Sequence, residues 1–131
     1  MNVRCLIVDD SRRFLDAARG LLERQGLTVV GAAATGAEAL ELAAELRPDV
    51  TLVDIDLAGE SGFEVARQLS RQPATTAATT ILISTHAEED YAELIAASPA
   101  IGFLSKSELS GGAIRALLGS QGEHDPSAPV T

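Results

Sequence analysis

The sequence predicts a doubly wound α/β domain built on a five-stranded parallel sheet. Three observations carry that prediction. Short runs dense in Val, Ile and Leu alternate with longer stretches of helical period, five times in succession. The runs are rich in Val, Ile and Leu without a strict apolar–polar alternation, as expected of strands covered on both faces. The chain has 131 residues, the size of one domain and enough to bury a core without metal or disulfide staples.

The strand-like runs are 3–8, 27–33, 50–55, 80–84 and 101–104. After the first, Ser11 stands as an N-cap, Phe14, Leu15, Ala18, Leu21 and Leu22 form one apolar face, and Gly26 stops the helix. Thr35 with Glu38 reads as a capping box opening a second helix, which Pro48 closes. Ser61 with Glu64 reads as another, ahead of Phe63, Ala66 and Leu69. A fourth helix is expected over 88–97, ended by Ser98-Pro99, and a fifth from about 110 to 118. Residues 72–78, rich in Pro, Ala and Thr, read as a loop. The chain from 120 to 131 reads as a disordered tail after a single domain over 1–119. Right-handed crossovers then favour the flavodoxin-like strand order 2-1-3-4-5.

Composition removes several classes of function. Aromatic residues are scarce and Trp is absent, so Leu, Ile, Val and Ala must fill the core. A net charge of −9 disfavours direct nucleic-acid binding and adsorption to anionic lipid. A lone cysteine, Cys5, excludes an internal disulfide and a multi-cysteine zinc site; mid-strand, it reads as a small buried apolar residue. No apolar run reaches ~20 residues and no signal peptide is visible, so a cytoplasmic location is expected. His86 and His124 have no partner at metal-ligand spacing and read as surface residues.

In such a sheet the chemistry lies at the carboxyl ends of the strands. The first strand stops in Asp9-Asp10, the third at Asp54 with Asp56 just beyond, the fourth in Ser84-Thr85 and the fifth near Lys106. The expected order sets the first strand beside the third, so Asp9, Asp10 and Asp54 converge. Three close carboxylates repel one another unless a cation joins them, and hard oxygen ligands suit Mg²⁺. A single Asp at a strand end is often only a cap or a loop residue. Four polar strand ends on one rim make a phosphoryl-binding pocket the better reading: acidic, with one hydroxyl and one ammonium beside it.

These residues resemble the receiver domain of two-component response regulators. The likeness runs through Leu6-Ile7-Val8-Asp9-Asp10, Thr51-Leu52-Val53-Asp54, Ser61-Gly62-Phe63-Glu64, Ile81-Leu82-Ile83-Ser84 and Gly102-Phe103-Leu104-Ser105-Lys106, in that order and at intervals that fit the family. The resemblance implies that Asp54 accepts a phosphoryl group from the phosphohistidine of a sensor histidine kinase. It implies Mg²⁺ held by Asp9, Asp10, Asp54 and the backbone carbonyl of Asp56. Ser84 matches the hydroxyl that bonds a phosphoryl oxygen, and Lys106 the ammonium that pairs with it. Phe103 matches the aromatic switch that turns with activation. Asp56 and His86 are expected to flank the path of hydrolytic water, and Thr85 to narrow it.

The resemblance further implies a conformational switch that controls an unknown downstream protein. The surface of the fourth helix, fifth strand and fifth helix is the expected face for that partner or for a second copy in a homodimer. The module assists its own phosphorylation and dephosphorylation but is not an enzyme acting on an outside substrate. The sequence also departs from the common pattern. Ala58 and Ser107 stand where many members have Pro, and Ser98-Pro99-Ala100 replaces a familiar small-residue run. No chemical group is lost by these changes; the placing of Lys106 is the feature they bear on. Two alternatives stand beside this reading: a receiver-fold binding module that no longer uses phosphate, and a Mg²⁺-dependent phosphatase suggested by the Asp-x-Asp of Asp54-Ile55-Asp56. The second fits poorly, since the acidic pair comes first in the chain and no cap domain follows. No output domain is visible, so the chain reads as a single-domain regulator or a piece of a longer one.

Overall fold

A computed structural model describes residues 2–73 and 79–123. Along the chain lie β1 (Arg4–Val8), α1 (Arg12–Arg24), β2 (Thr28–Ala33), α2 (Gly36–Leu46) and β3 (Val50–Asp54). A short ribbon of β4 (Asp56–Leu57) and β5 (Glu60–Ser61) leads into α3 (Gly62–Ser70). Then come β6 (Thr79–Ser84), α4 (Ala92–Ala97), β7 (Gly102–Ser105) and α5 (Gly111–Glu123). The main sheet has five strands in the order β2-β1-β3-β6-β7, every pair parallel. With the ribbon strands left out of the count, this is the expected 2-1-3-4-5.

The two-residue period of each strand explains why the sheet is covered on both faces. Cys5 and Ile7 of β1 point into one core with Leu52 of β3, Ile81 and Ile83 of β6, Leu22 of α1 and Ile114 of α5. Leu6 and Val8 point the other way, with Val53, Leu82, Ala39 and Ala43 of α2 and Val65, Ala66 and Leu69 of α3. Each face therefore has its own apolar cluster, and no central strand can be moved by one residue without exchanging the two sets.

The helix starts follow the expected caps. Ser11 Oγ accepts from Phe14 N–H at 3.2 Å, and Thr35 Oγ1 from Glu38 N–H at 3.2 Å. The Glu38 carboxylate reaches back to the Ala34 N–H at 2.8 Å. Ser61 Oγ caps α3 at 3.4 Å, but Glu64 turns along the helix to Arg67 instead of closing the box. Ser110 Oγ, at 2.9 Å from Ala113 N, caps α5.

Three expectations are adjusted. The predicted fourth helix divides into a 3₁₀ turn, Glu88–Tyr91, and the short α4. Its first turn holds Glu88, Glu89 and Asp90 with no side-chain cap, and Tyr91 leaves helical geometry at φ −129°. The fifth helix continues past Leu118 to Glu123. The β4–β5 ribbon was not expected; its turn is formed by Ala58 and by Gly59, at φ +76°. The remaining part of the predicted tail, 124–131 with His124, lies outside the described residues, as does 74–78 of the predicted loop.

Cys5 is fully buried, and burial, followed by the charge of Asp49 and against that of Arg115, pushes its thiol up to about 12. The native protein is expected not to react with a disulfide reagent at pH 8 and to react at once in denaturant. The fold favours the neutral thiol. Its contribution to stability is present below the unfolded value of 9.0 and is lost as the pH rises towards about 12. Rapid modification of the native protein would contradict this placement.

Candidate functional site

The acidic rim is assembled by adjacency in the sheet. β1 pairs directly with β3, with Val8 opposite Val53, so Asp9 and Asp54 leave neighbouring strands side by side. Their backbones are tied at the same level: Asp9 N–H donates to Ala33 O, and Ile55 N–H to Ile83 O, both at 2.9 Å. Asp9 is fully buried, Asp54 is 6% exposed and Asp10 is exposed at the mouth. One carboxylate oxygen from each of the three lies within 4.8 Å of the others.

Lys106, directly after β7, reaches back into this group. Its Nζ is 2.5 Å from Asp9 Oδ2 and 3.2 Å from Asp54 Oδ2. Asp9 Oδ1 accepts from Ser11 N–H at 2.8 Å, and Asp54 Oδ1 from Asp56 N–H at 3.2 Å. One ammonium thus pairs with two buried carboxylates while a third, Asp10, stands at the exposed mouth, which leaves an excess of negative charge. Burial raises Asp54 to about 6; the Asp56 N–H opposes this, Asp9 adds to it, and Lys106 opposes it. Burial draws the Lys106 ammonium down, yet the Asp9 and Asp54 carboxylates outweigh it and leave the group raised.

These residues fit a hard divalent cation. The three carboxylates supply clustered oxygens, one from each within 4.8 Å of the others. The net negative charge that Lys106 does not cancel is what a cation would cancel.

The other expected residues fall into two groups. Ser84 ends β6, beside β3, and is 1% exposed. Its Oγ accepts from the His86 N–H at 2.9 Å, with the His86 ring Nδ1 at 3.5 Å. A hydroxyl has one proton and two lone pairs, so the backbone bond leaves the Ser84 O–H able to donate elsewhere. Thr85 and His86 are exposed beyond it, and the His86 ring stands edge-on to Tyr91 at 5.9 Å. The Asp56 side chain is also exposed. Phe103 lies opposite Leu82 in the register, half-buried against the core that faces α2 and α3, on the other side of the sheet from Leu104.

Two residues matter to the site more than their sequence positions suggest. Gly62 begins α3 directly beneath the β3 end. Its N–H donates to Ile55 O at 2.8 Å, and a Cβ there would stand 2.0 Å from Asp54 O and 2.7 Å from Ile55 Cα. Only a glycine allows that approach. Phe14, in the first turn of α1, lies under Lys106, whose Nζ is 4.3 Å from the ring centroid. Gly62 stands within a quoted motif, which signals a special backbone position. Phe14 carries no signal, because its spacing is that of an ordinary core residue.

A family model described as the response regulator receiver domain matches residues 5–117. The chain belongs to that family. This receiver domain is 37% identical over 86 residues to the protein PilH of Pseudomonas aeruginosa, covering 66% of this chain and 70% of PilH. It is 36% identical over 107 residues to the response regulator GacA of the same organism, covering 79% of this chain and 48% of GacA. The chain thus spans about half of GacA. Among solved structures, the receiver domain of the response regulator NarL from Mycobacterium tuberculosis superposes with a TM-score of 0.76 at 30% identity, covering 90% of this chain and 98% of that one. A response regulator from Burkholderia pseudomallei, solved with a phosphorylated aspartic acid, a calcium ion and citrate, gives 0.74 at 25% identity, covering 98% and 76%. Among the described residues no helix is long and apolar enough to cross a membrane.

Proposed function

We propose that this receiver takes a phosphoryl group onto Asp54 from the phosphohistidine of a sensor histidine kinase, with Mg²⁺, and so controls a downstream protein. The observation that carries the reading is the Asp54 carboxylate, held by the Asp56 N–H on one oxygen and by Lys106 on the other, in an acidic crevice with Asp9 and Asp10. An Asp54 oxygen attacks phosphorus and forms the acyl phosphate. The phosphorus–nitrogen bond of the donor breaks, and the imidazole leaves with that electron pair and is protonated from solvent. Lys106 then pairs with a phosphoryl oxygen, and the Ser84 O–H donates to another. Asp9, Asp10, Asp54 and the Asp56 carbonyl would hold Mg²⁺, which when bound neutralises charge on the phosphoryl oxygens. The phosphorylated aspartate of the Burkholderia pseudomallei relative supports the same chemistry here.

Incubation with acetyl phosphate and Mg²⁺ tests the reading. A covalent phosphoryl label on the protein is expected. Steady release of phosphate from an added aryl phosphate without a label would instead mark a phosphatase. Neither outcome would leave a binding module that does not use phosphate.

The metal has its own test. Without it, the raised Asp54 favours the protonated fold, a contribution present below 3.8 and lost as the pH rises through about 6. Metal-free protein should therefore lose melting temperature from this group between about pH 4 and pH 6. Millimolar Mg²⁺ at pH 7 should restore it, because a ligand bound by the folded state alone stabilises it. Asp10→Ala, at the exposed mouth, should lose most of that gain. A Mg²⁺ response that survives Asp10→Ala unchanged argues against the site.

The output face follows from the same geometry. A phosphoryl group that draws Ser84 towards it alters the end of β6, against which β7 and Phe103 are paired. The surface of α4, β7 and α5 is then the place for a downstream protein or a second copy to dock. Leu94 there is 54% exposed, while Tyr91 and Ile95 are half-buried against the core.

A further inference from the structure

We propose that Phe14 is a positioning residue for Lys106: its ring fixes the ammonium over the acidic crevice by a cation–π contact. The inference rests on the proposed role of Lys106 and adds a residue to it. Lys106 has a four-carbon stem with free rotation, and its own turn, Lys106–Glu108, carries no side-chain cap. Asp9 and Asp54 approach Nζ at 2.5 and 3.2 Å, and the Phe14 face covers it at 4.3 Å. The Lys106 side chain is only 15% exposed, so water competes weakly and the ring quadrupole acts on a desolvated charge.

Phe14 is itself held. Its N–H bonds Ser11 Oγ at 3.2 Å, and Ser11 N–H bonds Asp9 Oδ1 at 2.8 Å, so the α1 cap, the ring and one carboxylate of the crevice are linked. The chain has only three Phe and one Tyr. One of these four rings is spent beneath the single ammonium of the site. A Leu would fill the same half-buried space against the core of α1 and α5, but it offers no π face to a cation.

The test compares Phe14→Leu with Phe14→Tyr in the full chain. In the parent, the Lys106 ε-methylene protons should resonate upfield from ring shielding; the shift should vanish in Phe14→Leu and persist in Phe14→Tyr. This readout does not depend on phosphoryl transfer, so it separates failure of the contact from failure of the proposed function. The rate of labelling by acetyl phosphate with Mg²⁺ should fall roughly fivefold in Phe14→Leu and recover in Phe14→Tyr, the size expected from a partly desolvated cation–π contact. In a Lys106→Ala background, Phe14→Leu should slow labelling no further. Unshifted ε-methylene resonances in the parent, or equal losses from Phe14→Leu with and without Lys106, would overturn the proposal.

Discussion

Asp54→Asn is expected to fold as the parent does and to take up no phosphoryl group from acetyl phosphate in Mg²⁺. The amide is nearly isosteric with the carboxylate, and the position is 6% exposed at the end of a strand buried along its whole length, so the packing around it is kept. The nucleophile is what changes: an amide oxygen carries no full charge and forms no stable acyl phosphate. The metal-free variant should also melt no lower than the parent at pH 7. Burial, the largest influence on Asp54, works against its charged form there, and the neutral amide removes that cost together with the repulsion from Asp9. Labelling of Asp54→Asn at the parent's level would remove Asp54 from the mechanism.

Gly62→Ala should damage both the fold and the site. The added methyl would meet the carbonyl oxygen of Asp54 at 2.0 Å and the backbone of Ile55 at 2.7 Å. Neither is the end of a flexible side chain, so α3 or the β3 end must move. Overpacking of a tight interior typically costs about 1–3 kcal/mol, and a backbone-to-backbone clash belongs at the upper end. For a domain of this size a loss of about 3 kcal/mol lowers the melting temperature by roughly 10 °C. Labelling should slow beyond what the lost stability explains, because the displaced carbonyl belongs to Asp54 itself. A variant within about a degree of the parent would mean that α3 does not press on the Asp54 backbone.

The sheet was legible because its strands are buried on both faces, and an unbroken apolar run such as Leu6-Ile7-Val8 has few other places to be. The Asp9, Asp10 and Asp54 cluster was legible for a related reason: strand order alone sets β1 beside β3, and both end in carboxylates. Ser11, Thr35 and Ser61 marked their helices through local hydrogen bonds, which sequence neighbours decide. Where the outcome depended on competition, reading was weaker. The acidic run Glu88-Glu89-Asp90 follows Ala87, which offers no cap, and a helix of full length gave way to a 3₁₀ turn and α4. Glu64 had both Ser61 and Arg67 within reach and chose the cation. The Phe14 and Lys106 contact joins α1 to the segment after β7, and nothing local to either residue announces it.

A phosphoryl group at Asp54 is expected to move the end of β6 and, through it, β7. The most direct measurement is the amide spectrum of the protein with and without beryllofluoride and Mg²⁺, the fluoride complex standing in for the phosphoryl group on the Asp54 carboxylate. Shifts should begin at Asp54, pass through Ser84 and His86, and reach Phe103, Tyr91 and α4, with the Phe103 ring changing rotamer. Shifts confined to Asp9, Asp10, Asp54 and Lys106, with Phe103 and α4 unmoved, would contradict it.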